Sequence, residues 1–404
     1  MSRIHVFTSA AGNYLPKVKV LFDSLAVHHP EWQRHLLLVE DWPEAQCAAV
    51  ALDADLHQPR DLDIPDWRPW AFCHSMVELC TAVKPFMLKQ LLAREDCDAV
   101  VYLDPDICVF SPLPEVAERL QADSIVLTPH LAAPESSLEG VLGNELTSLR
   151  FGTYNLGFLA VAASESGEAF ARWWAERCYR FCRDEPAQGL FTDQRWIDLV
   201  PGLFEGVGVL RAPRLNVAAW NWNHRDIASV DGLYTVSGAP LGFYHFTGFD
   251  SGDHQLMLEK YPQKREVIAK LMTSYRDALS EADRLFIDNP WSFGQFNNAA
   301  TITDACRHCY RDDAVVQEKY PNPWDEADAL IGVAAGFESR TALSVGFVGS
   351  PLSLDESKLV QLAVSAAKDP QLALNMARSL GRIVKAEGWH GVRRRLMKER
   401  ESEK

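Results

Sequence analysis

The sequence predicts an α/β fold built on a mostly parallel sheet, and two observations carry the prediction. The first forty residues run strand, turn, helix, strand. Ile4 to Thr8 is apolar and β-rich, a Ser/Ala/Gly/Asn turn follows, Leu15 to His28 repeats apolar residues at helical spacing, and His35 to Val39 is a second apolar run ending at Glu40-Asp41. Asp98 to Leu103 is apolar nearly throughout, as a strand buried on both faces requires. The strand–loop–helix–strand order of the opening is the beginning of an α/β fold with a parallel sheet.

The remaining elements follow in order. Leu56 to Trp70 is rich in Pro and Asp and reads as a loop, and Glu78 to Leu92 reads as one helix. After Leu103 come a strand from Ser124 to Leu127, a long polar loop from Thr128 to Arg150, a strand from Tyr154 to Ala162, a helix from Ala169 to Arg183 and a short strand from Leu241 to His245. Beyond Gly252 the pattern is mainly helical, interrupted by aromatic, Asn/Pro-rich stretches at Asp288 to Asn298 and Tyr320 to Asp325. That change sets the expected domains at 1–252 and 253–404, in keeping with a 404-residue chain.

Composition excludes several classes. With 47% hydrophobic residues the chain can bury a large core, so wholesale disorder is excluded. A net charge of −15 argues against a nucleic-acid binder, which needs clustered Lys and Arg on a phosphate backbone. The N-terminus carries no secretory apolar core, and no run reaches the roughly 18 apolar residues of a membrane span. A cytoplasmic protein is expected. Nine scattered cysteines suit a reducing compartment. Cys306 and Cys309 form a lone CxxC, which Cys178 and Cys182 would complete as a zinc site only through tertiary coincidence; buried thiols are the simpler reading.

The chemistry gathers at Asp104-Pro105-Asp106, directly after the apolar run Ala99-Val100-Val101-Tyr102-Leu103. Two aspartates one residue apart on a strand face opposite ways, but at a strand end, with Pro105 fixing the turn, both can converge on one ion. Buried carboxylates need a partner, and the C-terminal edge of an open α/β sheet is where ligands bind. Oxygen ligands of this kind suit Mg²⁺ or Mn²⁺ bridging to phosphates. A solvated Asp-rich turn stays open beside this reading. So does a haloacid-dehalogenase-type phosphatase with Asp104 as nucleophile, although that motif wants Thr or Val where this chain has Cys108. A non-catalytic carbohydrate-binding protein is the third reading.

Further segments make the chain resemble retaining glycosyltransferases of the GT-A fold, nearest to family 8, the glycogenin and bacterial galactosyltransferase group. The matching pieces lie in order over residues 1 to 250: Thr8-Ser9-Ala10, Lys84 in Thr81-Ala82-Val83-Lys84-Pro85-Phe86, the Asp104/Asp106 pair, Asn155-Leu156-Gly157, Asp193-Gln194, and His245 in His245-Phe246-Thr247-Gly248. The resemblance implies a Rossmann-like GT-A domain with a mainly helical C-terminal region. It implies that Thr8, Ser9 and Ala10 form a nucleotide-base loop, that Lys84 lies near the donor, and that Asn155 and Gly157 line the sugar pocket. Asp193 and Gln194 would act at the donor sugar, and Asp104, Asp106 and His245 would bind Mn²⁺ or Mg²⁺. The implied reaction moves a hexose from a nucleotide-sugar, UDP favoured, to a glycan or lipid-linked acceptor, as in bacterial surface-polysaccharide synthesis. The chain departs from the family after His245: Phe249-Asp250-Ser251-Gly252 replaces its Lys-Pro-Trp triplet, so the diphosphate lysine is unassigned, Lys260 being a weak substitute, and a related, separate bacterial family is indicated.

Each residue also has a simpler reading. His245 would serve as a core histidine, Asp193 as a helix cap, Asn155 as a turn residue and Lys84 as a solvated helix residue. Trp220, Trp222 and His224, beside Asn216, Asn221 and Asn223, would pack in the core or line the acceptor side. From Lys385 to Lys404 seven basic and four acidic residues give +3, an end suited to an anionic membrane surface or to a solvated tail. The region after 252 is expected to complete the acceptor site, form a homo-oligomer or approach a membrane.

Overall fold

The computed structural model describes residues 3–230, 232–250, 265–287 and 289–345. Lys260 and the basic end from Lys385 lie outside them. The chain divides into two compact units, Met1–Thr301 and Ile302–Lys404.

In the first unit a seven-stranded sheet forms the centre. Its members are β1 (Ile4–Ala10), β2 (Gln33–Leu38), β3 (Asp55–His57), β4 (Ala99–Leu103), β6 (Ile125–Pro129), β7 (Tyr154–Ala162) and β10 (Val207–Val209), in the order β10-β6-β7-β4-β1-β2-β3. β1, β2, β3 and β4 pair in parallel, as do β6 and β10, while β7 runs antiparallel between β4 and β6. The sheet is thus the mostly parallel, helix-flanked arrangement that the sequence predicts. β1 and β4 are buried at every position. On one face Ile4, Val6 and Ala10 join Val101 and Leu103 and receive Leu15, Val18, Leu21, Phe22 and Leu25 of the helix Leu15–His28. Those spacings are one stripe of a helix. On the other face Phe7 meets Tyr102 at 4.9 Å between ring centroids.

β5 (Ile107–Val109) lies outside this sheet and pairs antiparallel with β14 (Phe243–His245), Ile107 opposite His245. The short pairs β8 (Arg183–Glu185) with β9 (Leu190–Thr192), and β11 (Ile227–Val230) with β12 (Leu233–Val236) and β13 (Ala239–Pro240), complete the strands of this unit among the described residues. None of β8 to β13 was expected; at two to four residues each, they are too short to show a periodicity.

Three other expectations change. The helix from Glu78 to Leu92 is two helices, Met76–Ala82 and Lys84–Leu92. Pro85 has no N–H to continue the first, so it suits the first turn of the second. The loop from Leu56 to Trp70 holds the end of β3, a 3₁₀ turn at Pro59–Asp61 and the start of the helix Trp67–Phe72. The polar loop from Thr128 to Arg150 is helical over Leu138–Phe151, yet Leu138, Leu142, Leu146 and Leu149 face outward, so no buried stripe marked it. The first unit also extends past the expected boundary at 252. Ile268, Leu271, Met272 and Tyr275 of the helix Arg265–Asp283 share a buried cluster with Val217, Trp222, Tyr244 and Phe246.

The second unit is helical as far as described, with helices Asp304–Asp312, Ala314–Lys319 and Ala327–Val345. Cys306 and Cys309 are buried within the first of them as free thiols. No described helix is long and apolar enough to cross a membrane.

Candidate functional site

The site grows out of the end of β4. The Asp104 N–H donates to Gly157 O on β7 (2.9 Å), and the Ile107 N–H donates to Asp104 O (3.1 Å), closing a turn around Pro105. The chain then enters β5, whose partner β14 ends on His245. The His245 N–H is held by Val217 O, and Asp106 O accepts the Phe246 N–H, both at 2.8 Å. This backbone lattice sets His245 Nε2 3.0 Å from Asp106 Oδ1 and 3.6 Å from Asp104 Oδ2. Among the described residues one group of three metal-type ligands lies together, Asp104, Asp106 and His245, with ligand atoms all within 4.8 Å of one another. Two hard carboxylates and an imidazole fit Mn²⁺ or Mg²⁺ chemically. No described cluster brings the Cys306/Cys309 and Cys178/Cys182 pairs into a metal site.

The charges of the site are interlocked. Lys84, at the start of its helix because of the break at Val83, is 4% exposed and lies 3.3 Å from Asp104 Oδ1 and 3.2 Å from Asp193 Oδ2. The Tyr102 hydroxyl donates to the same Asp104 Oδ1 at 2.5 Å, and Lys84 Nζ sits 4.3 Å from the Tyr102 ring centre. Burial alone would lower the Lys84 ammonium, but Asp104 and Asp193 hold it well above its ordinary value, so it is a permanent cation. Burial pushes the Asp193 carboxyl up, against the pull of Lys84. Burial also acts to raise Asp106, yet the neighbouring His245 holds it below the usual carboxylate range. His245 answers in kind: burial lowers it, Asp106 outweighs burial, and its value is raised.

Asn155 stands behind the histidine. Its Oδ1 accepts the Gly157 N–H and faces His245 Nδ1, each at 3.2 Å, and its Nδ2 lies 3.3 Å from His130 Nε2. Trp220 presents its ring edge-on to His245, 5.4 Å between centroids and 86° between planes, and also meets His130 at 5.4 Å. The fold therefore brings Lys84, Asp104, Asp106, Asn155, Gly157, Asp193 and His245 to one place.

Other expected residues are placed differently. Thr8, Ser9 and Ala10 are inside β1, which runs two residues beyond the expected strand end. Thr8 is fully buried, and the Ser9 hydroxyl donates to Cys80 O at 2.7 Å. Small side chains there fill the sheet rather than open a loop. Gln194 adjoins the site, but its amide is engaged by backbone on both sides: Oε1 accepts the Leu156 N–H (3.0 Å) and Nε2 donates to Phe151 O (2.8 Å). Trp222 is core, donating to the Tyr244 hydroxyl at 3.0 Å, and Asn221 caps its own turn by accepting the Ala218 N–H at 3.1 Å. His224 and Asn223 bind Glu135. Trp220 is the aromatic of that cluster which reaches the site.

Sequence reading missed Tyr102, His130 and two further polar groups. Lys17, 8% exposed, pairs with Asp250 at 2.5 Å. Glu40, at the end of β2, accepts from the Gly12 N–H and the Ser292 N–H, each at 2.8 Å, and from the Ser292 hydroxyl. These partners are too far apart in sequence for any local pattern to join them.

No family model matches the chain. Among curated proteins it is 29% identical over 175 residues to the uncharacterized protein YfnF of Bacillus subtilis (strain 168), covering 43% of this chain and 57% of that one. It is 26% identical over 260 residues to YfnD of the same organism, likewise uncharacterized, covering 62% and 79%. The chain thus spans little more than half the length of the first of these relatives. Solved structures with partial likeness include the galactosyltransferase LgtC in complex with donor and acceptor sugar analogues (18% identity, TM-score 0.42, 71% of this chain and 97% of that one). The glycosyltransferase GlyE of Streptococcus pneumoniae TIGR4 overlaps at 15% identity and TM-score 0.41, over 73% of this chain and 67% of that one. At this degree of overlap the reading of the site rests on its own geometry.

Proposed function

We propose that the chain is a metal-dependent glycosyltransferase that takes a hexose from a nucleotide-sugar, UDP-linked by preference, to a glycan or lipid-linked acceptor. The observation that carries the reading is the convergence of Asp104, Asp106 and His245 at the C-terminal edge of a mostly parallel sheet, where such sheets bind ligands. A divalent cation, Mn²⁺ or Mg²⁺, held there would neutralise charge on the leaving diphosphate.

The chain's own residues supply the rest. Lys84 is a fixed cation beside Asp104 and adds positive potential at the phosphate end. In this reading Asp193, 2% exposed and paired with Lys84, would steady the sugar. Trp220 offers the aromatic surface that suits a sugar or acceptor ring. In a retaining transfer the acceptor hydroxyl attacks from the leaving-group side and gives its proton to the departing phosphate, a route that needs no separate base. The enzyme would act in the cytoplasm, in surface-polysaccharide or glycoconjugate synthesis. The region after 252 would complete the acceptor side, form a homo-oligomer or contact a membrane surface.

Thermal shift with UDP, GDP and their sugars, with and without Mn²⁺, tests the reading. A shift that needs both nucleotide and metal is expected. Asp104→Asn and Asp106→Asn should each keep the wild-type fold by circular dichroism and lose nucleotide-sugar turnover. Full turnover in both variants, or release of phosphate from simple phosphomonoesters dependent on Asp104, would sink it.

A further inference from the structure

Gly157 and Asn155 sit on β7, the strand that runs antiparallel beside β4. Gly157 O accepts the Asp104 N–H, so this residue already anchors one member of the acidic pair. Its α-carbon faces the ring of His245. A β-carbon at 157 would stand 2.5 Å from His245 Nδ1 and 2.8 Å from Asn155 Oδ1, closer than packed atoms come. Glycine is therefore required for space here. The gap that it leaves is filled by the imidazole.

The Asn155 carboxamide settles which ring nitrogen carries the proton. Its Oδ1 already accepts the Gly157 N–H, and an oxygen can only accept, so the 3.2 Å contact with His245 Nδ1 requires Nδ1–H. In the neutral ring that leaves the Nε2 lone pair directed at Asp104 and Asp106. The carboxamide is held in turn from its nitrogen side by His130 Nε2 at 3.3 Å, and the edge-on Trp220 limits rotation of the histidine ring. A ligand whose other nitrogen is fixed by an acceptor is the usual construction of a histidine metal site.

We infer that Asn155 and Gly157 are positioning residues for the metal ligand His245, acting through its Nδ1–H and through the space beneath its ring, rather than sugar-contacting residues. The inference rests on the proposed metal site, and the experiment separates the two. Mn²⁺ affinity of the nucleotide-free protein is measured by the EPR signal of free Mn²⁺, and directly bound nitrogen is read by electron spin-echo modulation. Wild-type protein should bind one Mn²⁺ with a histidine nitrogen signal. Asn155→Ala should weaken binding about 10- to 100-fold and diminish the nitrogen signal. Asn155→Asp, which keeps the acceptor, should restore both. Gly157→Ala should resemble Asn155→Ala, with near-ultraviolet circular dichroism reporting whether it folds.

Wild-type binding that Asn155→Ala leaves unchanged, in affinity and in nitrogen signal, overturns the inference and leaves the metal site standing. Loss of affinity with an undiminished nitrogen signal overturns it as well. Absence of Mn²⁺ binding by the wild type overturns both the inference and the site.

Discussion

Lys84 is the residue on which the electrostatics of the site turn. It is buried between Asp104 and Asp193, and removing one partner of a buried ion pair leaves the other charge uncompensated. Lys84→Met should cost about 3–5 kcal/mol in urea unfolding at pH 7. Asp193 already has its carboxyl raised above 3.8, by burial against the pull of Lys84, and loss of the lysine raises it further. A raised carboxyl costs stability in full above its folded value and progressively less below it, so the deficit should hold constant near neutral pH and shrink only as pH falls below that value toward 3.8. A deficit constant over that whole range would show that the pair is not the cause. Gln194 makes the opposite case. Its amide joins Phe151 to Leu156, so Gln194→Ala should lower stability by about 1–3 kcal/mol, a change that a residue touching only the donor sugar would not produce. At this scale the carboxylate pair was legible because an apolar strand ran straight into it. Thr8, Ser9 and Ala10 belong to the strand and not to the turn after it, because small residues end strands and fill them equally well. Lys17 and Glu40 were invisible because Asp250 and Ser292 lie more than two hundred residues away.

At the scale of elements, the parallel strands were legible from their continuous apolar runs, and the direction of β7 was not. Burial on both faces reads the same in either direction, and only the pairing of Tyr102 with Leu159 and Leu103 with Phe158 shows it to be antiparallel. β14 was legible as the short strand from Leu241 to His245, but its partner β5, at three residues, has too little pattern to register, so the pairing that carries His245 to the acidic turn was hidden. The strands carry a further consequence. His5, His35 and His57 on β1, β2 and β3 form a chain, with His5 Nδ1 2.8 Å from His35 Nε2 and His35 Nδ1 3.2 Å from His57 Nε2. Burial first, then His57 and His5, push His35 down from 6.5 to about 3, though Asp55 lies 3.5 Å away. A base whose folded value is depressed gives stability that is complete above 6.5 and is lost as pH falls toward 3. The slope reaches about 1.4 kcal/mol per pH unit. His35→Leu should remove that slope from denaturant titrations between pH 6 and pH 4; an unchanged slope would place the acid sensitivity elsewhere.

At the scale of the whole molecule, every residue of the candidate site falls within 1–301, while the net charge of −15 belongs to the entire chain. The two scales pull in different directions. Asp104, Asp106 and Asp193 sum to −3, Lys84 returns +1, and a bound divalent cation brings the site near neutrality with His245 uncharged. Under the proposed function, the acidic remainder would oppose the approach of a diphosphate donor. Screening removes such repulsion over a Debye length of about 10 Å at 0.1 M salt, without touching contacts made after docking. The association rate of UDP with the Mn²⁺-loaded protein should therefore rise as monovalent salt is increased from low to physiological strength, the reverse of an electrostatically steered ligand, while the dissociation rate changes little. Stopped-flow binding across a salt series reads both constants. An association rate that falls with salt would mean that a local basic surface governs approach, and would shift attention from the acidic body of the protein to cations around the site, Lys17 and Lys84 first.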